Sequence, residues 1–203
     1  MQHTNKLVRN ILFATLLVMS SVSQADTPAP DVLIRNTSQQ VLKALEDQHE
    51  QLEKDPNKVY MLVDEIILPN IDFEKMAQLV LGKNWRKATP AQQQAFTAEF
   101  RQLLVRTYST SLSDYTGQKV QYLPFRMAQG DTDVTVKTIV DQKNSVPVHV
   151  DYSLYLKNAG WKVYDIKIDG LSLVTNHRST FNNEIRNNGI DGLIKRLEDK
   201  NRR

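Results

Sequence analysis

The chain predicts an α+β fold, with helices packed on one face of a twisted antiparallel sheet of about four to five strands. Three observations carry this reading. Up to Gly117 the apolar residues recur at helical spacing, and after Leu171 they do so again. Between Val120 and Ile168 the period changes to two, and the strands leave a polar face, as antiparallel sheets wetted on one side do. Helices in blocks before and after the strands, rather than between them, give α+β instead of α/β.

The elements follow in order. After a short leader with two prolines, Asp31 to Lys54 reads as one amphipathic helix. Its stripe is Ile34, Ser38, Val41, Leu45, Gln48 and Leu52, and Asp55-Pro56-Asn57 stops it. A second helix runs from Lys58 to about Leu68 and ends at Pro69. Asp72 is placed to cap a third helix, whose apolar face is Met76, Leu79 and Val80, with Gly82 at its left-handed end. Thr89-Pro90 with Gln92 forms a capping box ahead of a long stripe: Ala95, Phe96, Phe100, Leu103, Leu104, Tyr108 and Leu112.

The predicted strands are Val120 to Met127, Val134 to Val140, Val146 to Lys157, and a last one from Trp161 to Ile168. Pro124 marks the first as an edge or bulged strand. In the third, Val146, Val148, Val150, Tyr152, Leu154 and Leu156 share one face. Asn158-Ala159-Gly160 turns the chain. In the fourth, Trp161 and Val163 are out of step with Tyr164, Ile166 and Ile168, which calls for a bulge or burial on both sides. Leu171 to Asn188 returns to a helix, and a final short helix follows Gly189.

The first 25 residues stand apart. Lys6 and Arg9 precede the short apolar run Ile11 to Met19, and Ser23-Gln24-Ala25 supplies small residues for cleavage, the pattern of a secretory signal. An anchor would need about 20 apolar residues. The expected mature protein starts near Asp26 and forms one domain, 26–203, exported to the periplasm. Removing residues 1–25 takes two of the 26 basic residues and no acidic one, leaving 24 against 23. That balance argues against a nucleic-acid partner. With no cysteine, the chain has no disulfide framework and no lipid-modified N-terminal Cys, so its stability rests on a core.

Chemistry finds little purchase. His49, His149 and His177 lie on different elements without metal-ligand spacing. No Gly-x-Ser-x-Gly elbow or P-loop glycine pattern is present, so no metal, nucleotide or other cofactor is expected. Asp151, Asp165 and Asp169 leave open a buried acid in an apolar cavity, as in an isomerase. Alternation places them instead on the wet face. Lys83, Arg86 and Lys87 read as a solvated loop, and Lys195 to Arg203 as an exposed helix end. What stands out is a surplus of apolar faces, which suits either a packed core or a lined cavity.

A resemblance separates the two. Leu68-Pro69, Asp72-Phe73-Glu74-Lys75-Met76-Ala77, Leu79-Val80-Leu81-Gly82-Lys83 and Trp85-Arg86 resemble the MlaC (toluene-tolerance) family of periplasmic phospholipid-binding proteins. So do Ala88-Thr89-Pro90-Ala91-Gln92, Trp161-Lys162-Val163-Tyr164-Asp165-Ile166, Asp169-Gly170-Leu171-Ser172-Leu173-Val174 with Asn176 and Arg178, and Gly189-Ile190-Asp191-Gly192-Leu193. The blocks span most of the mature chain in order. One departure is His177, where the family often carries Tyr.

The resemblance implies a non-enzymatic carrier that shuttles phospholipid between the outer-membrane MlaA–porin complex and MlaD of the inner-membrane transporter MlaFEDB. It also implies that the acyl chains lie between sheet and helices. The implied lining is Leu79, Val80, Phe100, Leu104, Tyr108, Val134, Val136, Val150, Tyr152, Leu154, Val163, Tyr164, Ile166, Leu171 and Val174. An isomerase-like enzyme and a dry-cored chaperone are the alternatives.

Overall fold

The computed structural model describes residues 27–55, 57–113, 117–141, 146–158 and 160–202. The predicted signal segment, its expected cleavage point at Asp26, and Pro56 and Ala159 of the two predicted turns lie outside them. Helices α1 (Pro30–Asp47), α2 (His49–Lys54), α3 (Lys58–Leu62), α4 (Phe73–Leu81) and α5 (Pro90–Ser113) come first. Strands β1 (Lys119–Tyr122), β2 (Asp133–Asp141), β3 (Val148–Lys157), β4 (Gly160–Ile168) and β5 (Leu171–Ser172) follow, and α6 (Leu173–Asn201) closes the chain. The five strands form one antiparallel sheet in sequence order. This is the α+β architecture the periodicity predicts.

Local chemistry sets several boundaries differently from the prediction. The first helix is two, because Gln48 leaves helical geometry at φ −110° and ψ 13°. The second shortens to α3 and then widens into a π-turn over Val63–Ile67 and a 3₁₀ turn over Leu68–Asn70. Pro69, which has no N–H for helical pairing, sits inside that last turn. Strand β1 stops at Tyr122 just before Pro124, although the Leu123 amide still donates to the Lys137 carbonyl at 3.1 Å. Strand β3 starts after Pro147, which leaves Val146 outside it and 80% exposed.

The last predicted helix begins two residues late. Leu171–Ser172 pairs with Lys167–Ile168, and Ser172 Oγ then caps α6 by accepting from the Thr175 amide at 3.0 Å. The two predicted C-terminal helices are one element kinked at Gly189, whose φ of 72° and ψ of −179° suit glycine alone.

Other starts and stops match the residues that predict them. Asp72 Oδ1 accepts from the Lys75 amide at 2.9 Å, and Gly82 ends α4 at φ 54°. Thr89 and Gln92 exchange the two bonds of a capping box, at 2.9 and 3.2 Å.

Three apolar clusters hold the domain. The largest joins α4, α5 and α6 around Phe96, Phe100 and Phe181, with the Phe96 and Phe100 rings stacked and Phe181 edge-on to both. A second binds α1 through Ile34 to Val136, Leu154, Trp161 and Val163 of the sheet. A third gathers Val41, Leu45, Leu52, Val59 and Leu62 where α1, α2 and α3 meet.

Candidate functional site

Register defines one continuous apolar face of the sheet. Val120 pairs with Val140 and Tyr122 with Thr138. Val134, Val136, Thr138 and Val140 pair with Leu154, Tyr152, Val150 and Val148. On the other side of β3, Val150, Tyr152 and Leu154 pair with Ile168, Ile166 and Val163. The register shift at Ser153/Leu154 leaves Tyr164 as the extra residue, the bulge the sequence calls for. It brings Ile166 and Ile168 into line with Val163 and Trp161, and leaves Tyr164 half-buried against the helical cluster. Tyr164 also packs against Tyr155, ring centroids 5.8 Å apart, and its hydroxyl donates to Asp133 Oδ1 at 2.9 Å.

The helices cover this face unevenly. Their main contacts with the sheet are made by α1 on β2, and by α4, α6 and the 3₁₀ turn at Leu68–Asn70 on β4. Where α1 presses down, Val136, Leu154, Trp161 and Val163 are fully buried. Arg35 of α1 lies over the Tyr122 ring, 4.1 Å from its centroid. Around that contact Tyr122, Val134, Tyr152 and Ile166 are half-buried, Val134, Tyr152 and Ile166 packing against the α1 cluster, and Val120, Val140, Val148, Val150 and Ile168 are half-buried as well. These apolar side chains are thus half-buried rather than sealed.

Tyr152 stands at the centre of this face. Burial pushes its phenol pKa up, and Thr138, itself fully buried, offers its hydroxyl as a hydrogen-bond partner. Tyr108 of α5 is half-buried, and burial raises its phenol pKa as well.

The implied lining residues therefore divide. Val134, Val150, Tyr152 and Ile166 come together on the half-open face. Val136, Leu154 and Val163 are on the same face but sealed beneath α1. Val80, Phe100, Leu104 and Val174 are buried in the helical cluster, with Leu79 and Tyr108 half-buried against it. Two positions fall elsewhere: Tyr164 is the extra residue of the bulge, half-buried against the helical cluster with its hydroxyl on Asp133, and Leu171 is on β5, 73% exposed. Val140, Val148, Thr138 and Ile168 belong to the face and are missing from the lining drawn from sequence. The alternation that selects Val150 and Tyr152 would have selected them too.

The acids are committed elsewhere. Asp165, expected on the wet face, is buried, because its Oδ2 accepts from Ser172 Oγ at 2.6 Å and its Oδ1 from the Val174 amide at 3.1 Å. It locks the start of α6 to β4. Asp169 Oδ1 accepts from the His149 amide at 2.9 Å, in the exposed turn after β4. Among the described residues no group of three or more His, Asp or Glu side chains is arranged to hold a metal, and no helix is long and apolar enough to cross a membrane.

The sequence model of the family described as MlaC protein matches residues 35–199. The chain belongs to the MlaC family. Among its relatives is the intermembrane phospholipid transport system binding protein MlaC of Haemophilus influenzae, 22% identical over 191 residues, covering 93% of this chain and 88% of that protein. Another is the toluene tolerance protein ttg2D of Pseudomonas putida, 25% identical over 182 residues, covering 89% of this chain and 82% of the relative. Among solved structures, the phospholipid-binding protein from Ralstonia solanacearum, in complex with a phospholipid, superposes with a TM-score of 0.80. It is 36% identical and covers 86% of this chain and 97% of that one. The MlaC resemblance read from the sequence blocks is thus borne out, and the Haemophilus and Ralstonia relatives are named for phospholipid transport and phospholipid binding.

Proposed function

We propose that this MlaC-family chain is a periplasmic phospholipid carrier that works without catalysis. The observation that carries the reading is the sheet face that is apolar from β1 to β4, yet only half-buried around the α1 contact. A solved relative of the same fold at 36% identity holds a phospholipid, which supports acyl chains as the occupant.

The energetics suit the role. Removing a chain of about 16 carbons from water is worth about 12 kcal/mol at ~0.8 kcal/mol per CH₂, before ordering costs. A lipid therefore needs an apolar container to cross an aqueous gap at a useful rate. Among its described residues the half-open face has no convergent polar cluster to read a headgroup, so discrimination among headgroups is weak. Export through the signal segment 1–25 puts the carrier in the periplasm as a single mature domain, 26–203. Its exchange partners are the MlaA–porin complex at the outer membrane and MlaD of MlaFEDB at the inner. The deciding experiment is native mass spectrometry of the protein purified from bacteria. Phospholipid bound to the mature chain supports the carrier. Protein that is lipid-free and cannot be loaded from liposomes overturns it.

A further inference from the structure

We propose that a recess between α4 and α5, on the helical side of the molecule, is a docking groove for an acidic segment of a partner protein that carries one apolar anchor residue. This goes beyond the lipid reading, because the groove uses no residue of the sheet. It has a volume of 460 Å³ and is lined by Glu74, Trp85, Gln93, Gln94, Thr97 and Arg101, among others. That size accepts one or two side chains and a stretch of backbone. The Trp85 indole is half-buried against the helical cluster, and Gln93 Nε2 donates to the Trp85 carbonyl at 2.8 Å, so the floor is held in place. Gln94 and the Arg101 guanidinium, the latter 2.7 Å from Asp64 Oδ1, stand along the wall.

The charge beside the groove decides the occupant. Lys83, Arg86 and Lys87 are exposed on the 3₁₀ turn that carries Trp85, and none has an ion pair or hydrogen bond to another described residue. Glu74 is the only acid among the groove's lining residues. Three unpaired cations next to a recess with an aromatic floor are complementary to carboxylates flanking an apolar side chain.

A membrane surface fits less well than a protein segment, because the apolar part is recessed rather than protruding. The protruding apolar residues Met61, Val146 and Leu171 are on other elements.

The test uses the mature chain and an array of 15-residue synthetic peptides that vary in acidic residues from none to six, with or without a central Leu or Phe. Binding is read by Trp85 fluorescence and by amide shifts at Gln93, Gln94 and Thr97. The expected result is saturable binding that rises with acidic content, needs the central apolar residue, and weakens roughly tenfold or more in the variant K83E/R86E/K87E. That variant changes only exposed side chains, so its melting temperature and bound lipid should match wild type, which separates this test from the carrier test.

Equal binding to wild type and variant overturns the proposal, as does binding without a response at Trp85. Two further results would also sink it. One is dependence on the triad for anionic phosphatidylglycerol vesicles but not for acidic peptides, which assigns the patch to a membrane. The other is self-association abolished by the triple reversal, which assigns it to a second copy of the chain.

Discussion

The Lys157 ammonium lies 2.6 Å from Asp72 Oδ2, joining the end of β3 to the first turn of α4. Asp72 is almost wholly buried, and besides capping α4 it accepts from the Tyr155 hydroxyl, while its own amide donates to the Val163 carbonyl at 2.9 Å. One carboxylate thus fastens the helical layer to the β3–β4 hairpin.

Burial alone would raise the Asp72 pKa, but hydrogen bonds from Lys157, Tyr155 and the Lys75 amide outweigh it and hold the carboxyl below its ordinary value. A depressed folded pKa contributes stability that is complete above the unfolded value of about 4 and is lost as pH falls through the folded one. Asp72→Ala should therefore lower the melting temperature at pH 7 by about 2–8 °C. This takes roughly 1–2 kcal/mol for a lost cap and about 2–4 °C per kcal/mol in a domain of this size. The gap between variant and wild type should close below about pH 4. A constant gap from pH 7 to pH 3 would show that the carboxylate is not what stabilises the joint.

Gly189 provides a second test, on backbone alone. A Cβ built there meets nothing within 4 Å, so space does not restrict the position, but its dihedrals are open to glycine only. Gly189→Ala should cost about 1–3 kcal/mol by thermal or urea melting. A neutral substitution would mean that α6 runs straight through this point in solution.

What the sequence made legible follows from how local each cause is. Caps and turns at Asp72, Gly82, Thr89 and Gln92 depend on neighbours within four residues, and they are where the residues predict them. Strands β1 to β4 and the Trp161/Tyr164 bulge follow from alternation alone, whereas β5 lies where the periodicity reads the start of a helix. No residue at Gln48 marks the break there. The burial of Asp165 was not legible, because its partners Ser172 Oγ and the Val174 amide reach it only when the chain turns back from β4 into α6. The same holds for the candidate site. Alternation assigns Val150 and Leu154 to one face, but α1, about 120 residues earlier in the chain, decides that Leu154 is sealed and Val150 is not.

His177 predicts a pH response. It is half-buried on α6, with its ring 5.3 Å from Phe100 edge-on and 5.2 Å from Phe181. Burial lowers its pKa, and the Lys200 charge lowers it further. The folded state therefore favours neutral imidazole, so stability is complete above the unfolded value of about 6.5 and falls as pH drops through it. Wild type should lose melting temperature between pH 7.5 and pH 5.5, whereas His177→Phe, whose ring can keep the same aromatic contacts, should lose less. Parallel melting curves for the two proteins across that range would exclude His177 as the titrating group.

The strongest test of the acyl-chain site compares two positions on one strand. Leu154 is fully buried under α1, so Leu154→Trp forces extra volume into a packed cluster and should cost about 1–3 kcal/mol or more. Val150, four residues away on the same face, is half-buried and belongs to none of the three apolar clusters. In Val150→Trp the indole can enter space that an acyl chain would otherwise take. The lipid-free protein should then melt within about 0.5 kcal/mol of wild type, the range of a substitution that strains nothing, while bound phospholipid per protein falls sharply. The comparison needs delipidated protein for melting and freshly purified protein for lipid content. If Val150→Trp unfolds the protein as severely as Leu154→Trp, and the surviving folded fraction keeps its lipid, then Val150 lies in ordinary core and the acyl chain lies elsewhere.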